Sequence, residues 1–399
     1  MLKWELRKII CSKFFIVSVI LIIGLRVYNL LSLWDRGEEF RSSNGLFEEL
    51  YLNEDEYNNR AIPYYEKIKN ADVTQLMNLE GVYLENAFMD MYEIKALVNA
   101  KKYAESTYES SMIELVKKAV RAVDGDSSKY EIRYYSKYID IYNQKVEVEP
   151  VNNVDEYLEI TMSHVEITYI VMIVWVSVLT AYVIKGQEHK RLQGIYISTF
   201  NGRKHGLLAK MGALAIILFA IEMVCFVGLI INAMTMYGFS WRVLTAPIQS
   251  VPEYMYCTIH TSIIGIIFIA YVVKLLVLLM IMCIVAVFSY FTKAILAVAG
   301  SILVWALPVF LVARMDKSTY EANQLYNTIR QYYPPAVSDY SEYILNFDYA
   351  RVFDFPVYRL VCVVAIGISI IAMCFVTVVL FAEKKNMEMS YGIKSRKNK

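Results

Sequence analysis

Apolar residues along this chain gather into six long runs, at residues 14–31, 165–184, 207–231, 262–288, 294–313 and 358–382. Each approaches or exceeds the roughly 20 residues that a helix rising about 1.5 Å per residue needs to cross a hydrocarbon core about 30 Å thick. The pattern predicts an all-α polytopic membrane protein with about six transmembrane helices. Arg26 interrupts the first run close to its far end, where a long side chain reaches the headgroups. That run is longer than a signal-peptide core and residues 24–31 offer no small-residue cleavage site, so an anchor that stays is expected.

Between the first and second runs the pattern changes. From residue 46 to 145, apolar and Tyr residues fall three and four apart, as at Leu76, Leu79, Val82, Tyr83 and Ala87. This spacing predicts three or four amphipathic helices, with strand only at 145–151. Residues 72–74 and 126–128 read as helix N-caps, and Pro63 and Asp124-Gly125 as breaks. Tyr64, Tyr65, Tyr134, Tyr135, Tyr138 and Tyr142 fit a small core and packing at the membrane interface better than a recognition surface. A second polar segment, 314–357, carries Tyr332-Tyr333-Pro334-Pro335 and is expected to lie beside the first.

Composition agrees, and charge adds orientation. Of 399 residues 57% are hydrophobic and the mean hydropathy is +0.38, which is too apolar for two or three soluble domains. The net charge of +1 hides a division. Residues 33–164 hold 26 Asp and Glu against 15 Lys and Arg, and the rest of the chain holds 25 basic and 13 acidic residues. Lys and Arg are enriched on the cytoplasmic side. The N-terminal segment, the loop 185–210 and the tail 384–399 are basic and fall on one face, so both termini are expected in the cytoplasm of a cell membrane. The expected organisation is a lead-in helix and first span (1–32), an extracellular helical domain (33–164), four spans (165–313) with the cytoplasmic loop 185–210, a second extracellular segment (314–357), a sixth span (358–383) and a basic tail.

Candidate chemistry is sparse. The six Cys lie in apolar runs or short loops and read as small hydrophobes, and the four His have no metal-ligand spacing. No metal or cofactor is expected on this chain. There is no G-x-x-x-x-G-K-[ST] cradle for a phosphate: Gly202-Arg203-Lys204-His205-Gly206 is followed by Leu207. The chain is therefore expected to have no ATPase of its own, and nucleic acid is not an expected partner. Glu222 and Lys274 fall inside the third and fourth runs, where an unpaired charge costs at least about 2.5–3.5 kcal/mol. Two roles are open to them, a structural ion pair or a transport site.

The loop 185–210 carries the most specific pattern. Glu188 is followed by Gly194, a short apolar stretch, Ser198-Thr199 and Arg203, with Lys210 at the start of the third run. It resembles the docking segment of the type-2 ABC exporter permeases, although Tyr196-Ile197 stands where that family usually has two leucines. The opening Lys3-Trp4-Glu5-Leu6-Arg7-Lys8 looks like the family's amphipathic lead-in helix, and Pro247-Ile248-Gln249-Ser250, Lys274 and Ser289-Tyr290-Phe291 are similar to the later half of one branch. The resemblance implies a separate ATP-binding subunit carrying ATP and Mg, a second permease subunit in a homo- or heterodimer, and ATPase coupling through Glu188, Gly194, Ser198, Thr199, Arg203 and Lys210. By analogy it implies a peptide or antibiotic as cargo. Two other readings compete: a secondary transporter using Glu222 and Lys274, and an anchored receptor whose 33–164 domain binds a ligand.

Overall fold

The computed structural model describes residues 1–31, 34–123, 129–144, 146–185, 202–300, 302–303, 344 and 349–397. The chain is mostly helical, in two regions: a bundle of long apolar helices and a polar body of shorter ones.

The bundle begins with α1 (Leu2–Ile10) and α2 (Lys13–Leu31), which meet at 66°. Ser12 shapes the bend, because its hydroxyl donates to the Ile9 carbonyl at 2.8 Å and accepts the Phe15 N–H at 3.2 Å, closing one helix and capping the next. α1 buries Ile9 and Glu5 and packs against α11 (Gly202–Thr235). Gly212 of α11 admits that contact, since a Cβ there would lie 3.3 Å from Leu2 Cδ1. α2 lies along α10 (Val154–Lys185), with Phe14 on Tyr182 and Phe15 on Trp175 at ring separations of 4.9 and 6.3 Å.

Among the described residues three helical segments are long and apolar enough to cross a membrane: His205–Thr235 within α11, Ile263–Phe291 (α13), and Arg359–Leu380 within α14 (Arg359–Lys397). The bent α1–α2 pair makes a fourth if it counts as one span. α13 is the central post, since 67% of its apolar window is buried against 28% in α11 and 17% in α14, and it packs on α10, α11 and α14. A Cβ on Gly367 of α14 would sit 3.0 Å from Leu276 Cδ2, so that glycine sets a close approach. The expected second run lies in α10, whose described apolar stretch is Val171–Ile184. Of the expected fifth run only 294–300 and 302–303 are described, and both are helical. α14 continues past its apolar run, so the basic tail is helical to Lys397.

The polar body contains α3 (Trp34–Leu52), α4 (Glu54–Glu56), α5 (Ile62–Ile68), α6 (Val73–Met77), α7 (Ala87–Lys102), α8 (Tyr108–Val123) and α9 (Lys129–Asn143). Its core joins Leu46, Phe47 and Leu50 of α3 to Ile94 and Leu97 of α7. Each such side chain contributes about 1.5–3 kcal/mol through burial. There are more helices than the spacing predicts because π-helical turns at Tyr57–Ala61 and Tyr103–Thr107 join shorter pieces end to end. Pro63 is not a break: it follows the first π turn at the start of α5, where its missing N–H falls in a ladder already widened.

The helix expected through Leu76 and Ala87 is also corrected. α6 stops at Met77 and α7 starts at Ala87, capped by Asn86. The intervening loop wraps a buried carboxylate. Val82, Tyr83 and Leu84 donate their backbone N–H groups to Asp90 at 2.5–3.3 Å, an arrangement that helix would forbid. Asp72 does precede α6 as its N-cap, without a side-chain capping bond; 126–128 lie outside the described residues.

Residues 146–153 form no strand. The named strands among the described residues are β1 (Tyr349–Val352) and β2 (Phe355–Tyr358), an antiparallel hairpin leading directly into α14. It packs on α9, with Arg133 over Phe355 and Arg351 over Tyr130 at 4.0 and 4.9 Å. Tyr134, Tyr135 and Tyr138 pack ring to ring beside it, so these tyrosines are largely structural.

Candidate functional site

Glu222 and Lys274 come together inside the bundle. Glu222 lies near the middle of α11 and Lys274 near the middle of α13, and Lys274 Nζ is 3.3 Å from Glu222 Oε2 with both side chains 1% exposed. Nζ also lies 5.1 Å from the centre of the Tyr271 ring, which adds attraction to the ring face. Tyr271 in turn meets Phe226 edge-on at 5.8 Å, one turn along α11 from Glu222. The arrangement fixes α11 on α13. Removing one partner would strand the other charge, whereas the intact pair holds two helices in register. Among the described residues no group of three His, Cys, Asp or Glu side chains could hold a metal ion.

A second polar assembly lies where the bundle meets the polar body. The connection from α11 to α13 carries α12 (Trp241–Thr245) and two 3-10 turns. It closes on itself: Ile248 N–H donates to the Thr261 carbonyl, Ile263 N–H to the Ala246 carbonyl, and buried Gln249 donates to the Cys257 and Ile259 carbonyls. Pro247-Ile248-Gln249-Ser250 is thus the core of this cap. Tyr103 of the polar body donates its hydroxyl to the Gln249 carbonyl at 2.8 Å, and Glu149 N–H donates to Ser250 Oγ at 3.0 Å.

Arg242 clamps the two regions together. It donates to both Glu48 oxygens, at 3.0 and 2.6 Å, to Glu149 at 3.0 Å, and lies 4.3 Å from the Tyr51 ring. Burial alone would push the Glu48 carboxyl up, but hydrogen bonds from Arg242 and Ser240 together with the Arg242 charge outweigh it and hold the group below its ordinary value. Beside the clamp, Ser43 donates to Glu93 at 2.6 Å, Asn152 donates to both, Asn153 donates to Ser43 and Asn44, and Asn44 donates to the Tyr237 carbonyl at 2.8 Å. Burial pushes the Glu93 carboxyl above its ordinary value, against the bonds from Ser43 and Asn152.

Comparison with protein-family models, curated proteins and solved structures returns no match.

Of the six loop residues singled out for ATPase coupling, Glu188, Gly194, Ser198 and Thr199 lie outside the described residues. Arg203 is in the first turn of α11. Lys210, two turns further on, donates from Nζ to the Ile184 carbonyl at 3.5 Å and so ties the start of α11 to the end of α10. The network of Ser43, Asn44, Glu93, Asn152 and Asn153 was not anticipated from sequence. A usable signal was the Asn152-Asn153 pair just before α10: Asn153 has φ +54°, a left-handed conformation that Asn tolerates.

Proposed function

We propose that the chain is a multi-pass permease subunit of an ABC-type exporter. It has about six spans, with the termini and the 185–210 loop in the cytoplasm and the polar body outside. It works beside a second permease subunit and is driven by a separate ATP-binding subunit.

The observation that carries this reading is the run of α10 and α11. They hold 32 and 34 residues, roughly 48 and 51 Å at about 1.5 Å each, and neither is broken. At one end they flank the basic loop, held together through Lys210 and Ile184. At the other end they meet the polar body: α10 starts beside Asn152 and Asn153, and the chain leaving α11 gives Asn44 its acceptor at Tyr237. A push on the loop therefore reaches the polar body through two rigid rods. An input that contacts two states equally shifts neither, so transport needs a loop contact that changes with the nucleotide on a partner. In this reading Glu188 and Arg203 make that contact, and the Glu222–Lys274 pair keeps α11 and α13 moving as one.

The test is the ATPase activity of membranes carrying this chain with a co-expressed ABC-type ATP-binding subunit. Glu188→Ala and Arg203→Ala are expected to abolish the complex or uncouple its turnover while the chain still inserts. Silent substitutions and no co-purifying ATPase would refute the exporter reading.

A further inference from the structure

The polar body carries a groove apart from the two assemblies described above. It is open along one side, holds about 570 Å³, and runs between α3 and the 78–86 loop. Arg41 and Glu49 stand at its two ends, Gly45 and Leu46 form its floor, and Tyr83 and Leu84 form its wall. Neither Arg41 nor Glu49 forms an ion pair among the described residues, and both are exposed. They are eight residues apart on one helix, about 12 Å along its axis, with the glycine between them.

Each part is built firmly. The wall cannot swing in, because the amides of Val82, Tyr83 and Leu84 are pinned to buried Asp90 and the Tyr83 hydroxyl donates to Glu56 at 3.1 Å. The floor has a different character. Glycine weakens a helix interior, yet a Cβ at Gly45 would meet no atom within 4 Å, so packing does not require glycine there. What its absence of side chain provides is space for another backbone. The Arg41 backbone and stem are seated as well, against the left-handed Gly238 just beyond α11: a Cβ there would lie 3.1 Å from Arg41 Cγ.

We propose that this groove binds a short zwitterionic peptide in extended form, its carboxylate on Arg41, its ammonium on Glu49 and its apolar side chains on Leu46, Tyr83 and Leu84. The spacing selects the length. At about 3.3 Å per extended residue, three to four residues span about 12 Å between a terminal cation and a terminal anion. A groove of this size with both apolar and polar lining, and opposite charges at the Arg41 and Glu49 positions, suits a small ligand whose ends are charged. The proposal does not rest on the exporter reading, and its test involves no ATPase.

The test is calorimetric titration of the full chain in detergent micelles with Ala-Leu-Leu-Ala carrying free termini. Saturable one-to-one binding is expected, weakened about tenfold or more by acetylating the amine or amidating the carboxylate, the size of one lost charge-assisted hydrogen bond. Arg41→Glu and Glu49→Arg should each cost as much, and the double exchange should restore binding, because a zwitterion can lie in the groove the other way round. Gly45→Leu should abolish binding with the thermal transition unchanged. Failure of the free tetrapeptide to bind, equal binding of the capped peptides, or single exchanges that bind like wild type would each overturn the proposal.

Discussion

The bundle and the polar body each bury a carboxylate almost completely, and they compensate it differently. In the bundle Glu222 faces a side-chain cation, Lys274, on another long helix. In the body Asp90, with no measurable exposure, is held by three successive backbone amides from the loop beside it. Backbone donors belong to the fold and act locally, so Asp90 shapes one loop and the groove wall it forms. A side-chain partner on a distant helix acts at long range. Glu222 and Lys274 join α11 to α13 across the bundle.

Breaking the long-range pair gives the largest expected effect. Lys274→Met should destabilise the chain by about 3–5 kcal/mol, because it leaves the Glu222 carboxylate buried and uncompensated. The double variant Glu222→Leu/Lys274→Met should recover most of that loss, since an apolar pair of similar volume is often neutral. Unfolding in mixed detergent micelles measures both, and a double variant as damaged as the single one would show that the pair is more than a register device.

Asp90→Ala is expected to cost less, about 2–3 kcal/mol, by leaving amides of the 82–84 loop without their acceptor. Its signature is local: faster amide exchange at Val82, Tyr83 and Leu84, with the bundle unchanged.

The smallest effect belongs to Glu93, and it depends on pH. Its folded pKa is raised by burial, so the native state binds more protons than the unfolded one across the interval between the two values. The stability it confers is fully present below the unfolded value and is lost as pH rises through the folded one. Unfolding of wild type and Glu93→Gln should therefore diverge as pH climbs from about 4.5, wild type losing ground, and stay parallel above the folded pKa. Parallel curves across the whole range would remove Glu93 from the junction's pH response.

The two regions also differ in how far the sequence discloses them. Membrane-length runs are legible because one property, sustained apolarity, decides them, and the ends of α13 follow the run closely, with Ser262 capping its first turn. Glu222 and Lys274 stand out for the same reason, as charges in an apolar background, although only the fold shows that they meet. The polar body is read less well. The spacing from Leu76 to Ala87 has a helical period, but Gly81 and the pull of Asp90 on three amides override it: a Cβ at Gly81 would lie 2.4 Å from the Leu84 carbonyl oxygen. Pro63 looks like a break and is absorbed by a π turn that no single residue announces. The hairpin before α14 escapes notice because it packs on Arg133 and Tyr134 of α9, more than 200 positions away in the chain. Long-range polar contacts, as between Asn44 and Tyr237, leave no periodic trace.

The most direct test is amide hydrogen exchange on the chain co-purified with the ATP-binding subunit proposed for it, with and without a non-hydrolysable ATP analogue. Nucleotide is expected to change protection in the 185–210 loop and, together with it, at 149–153 and 236–244, where the far ends of α10 and α11 meet the polar body. A change confined to the loop, with the junction unaltered, would contradict the claim that these two helices carry the signal across.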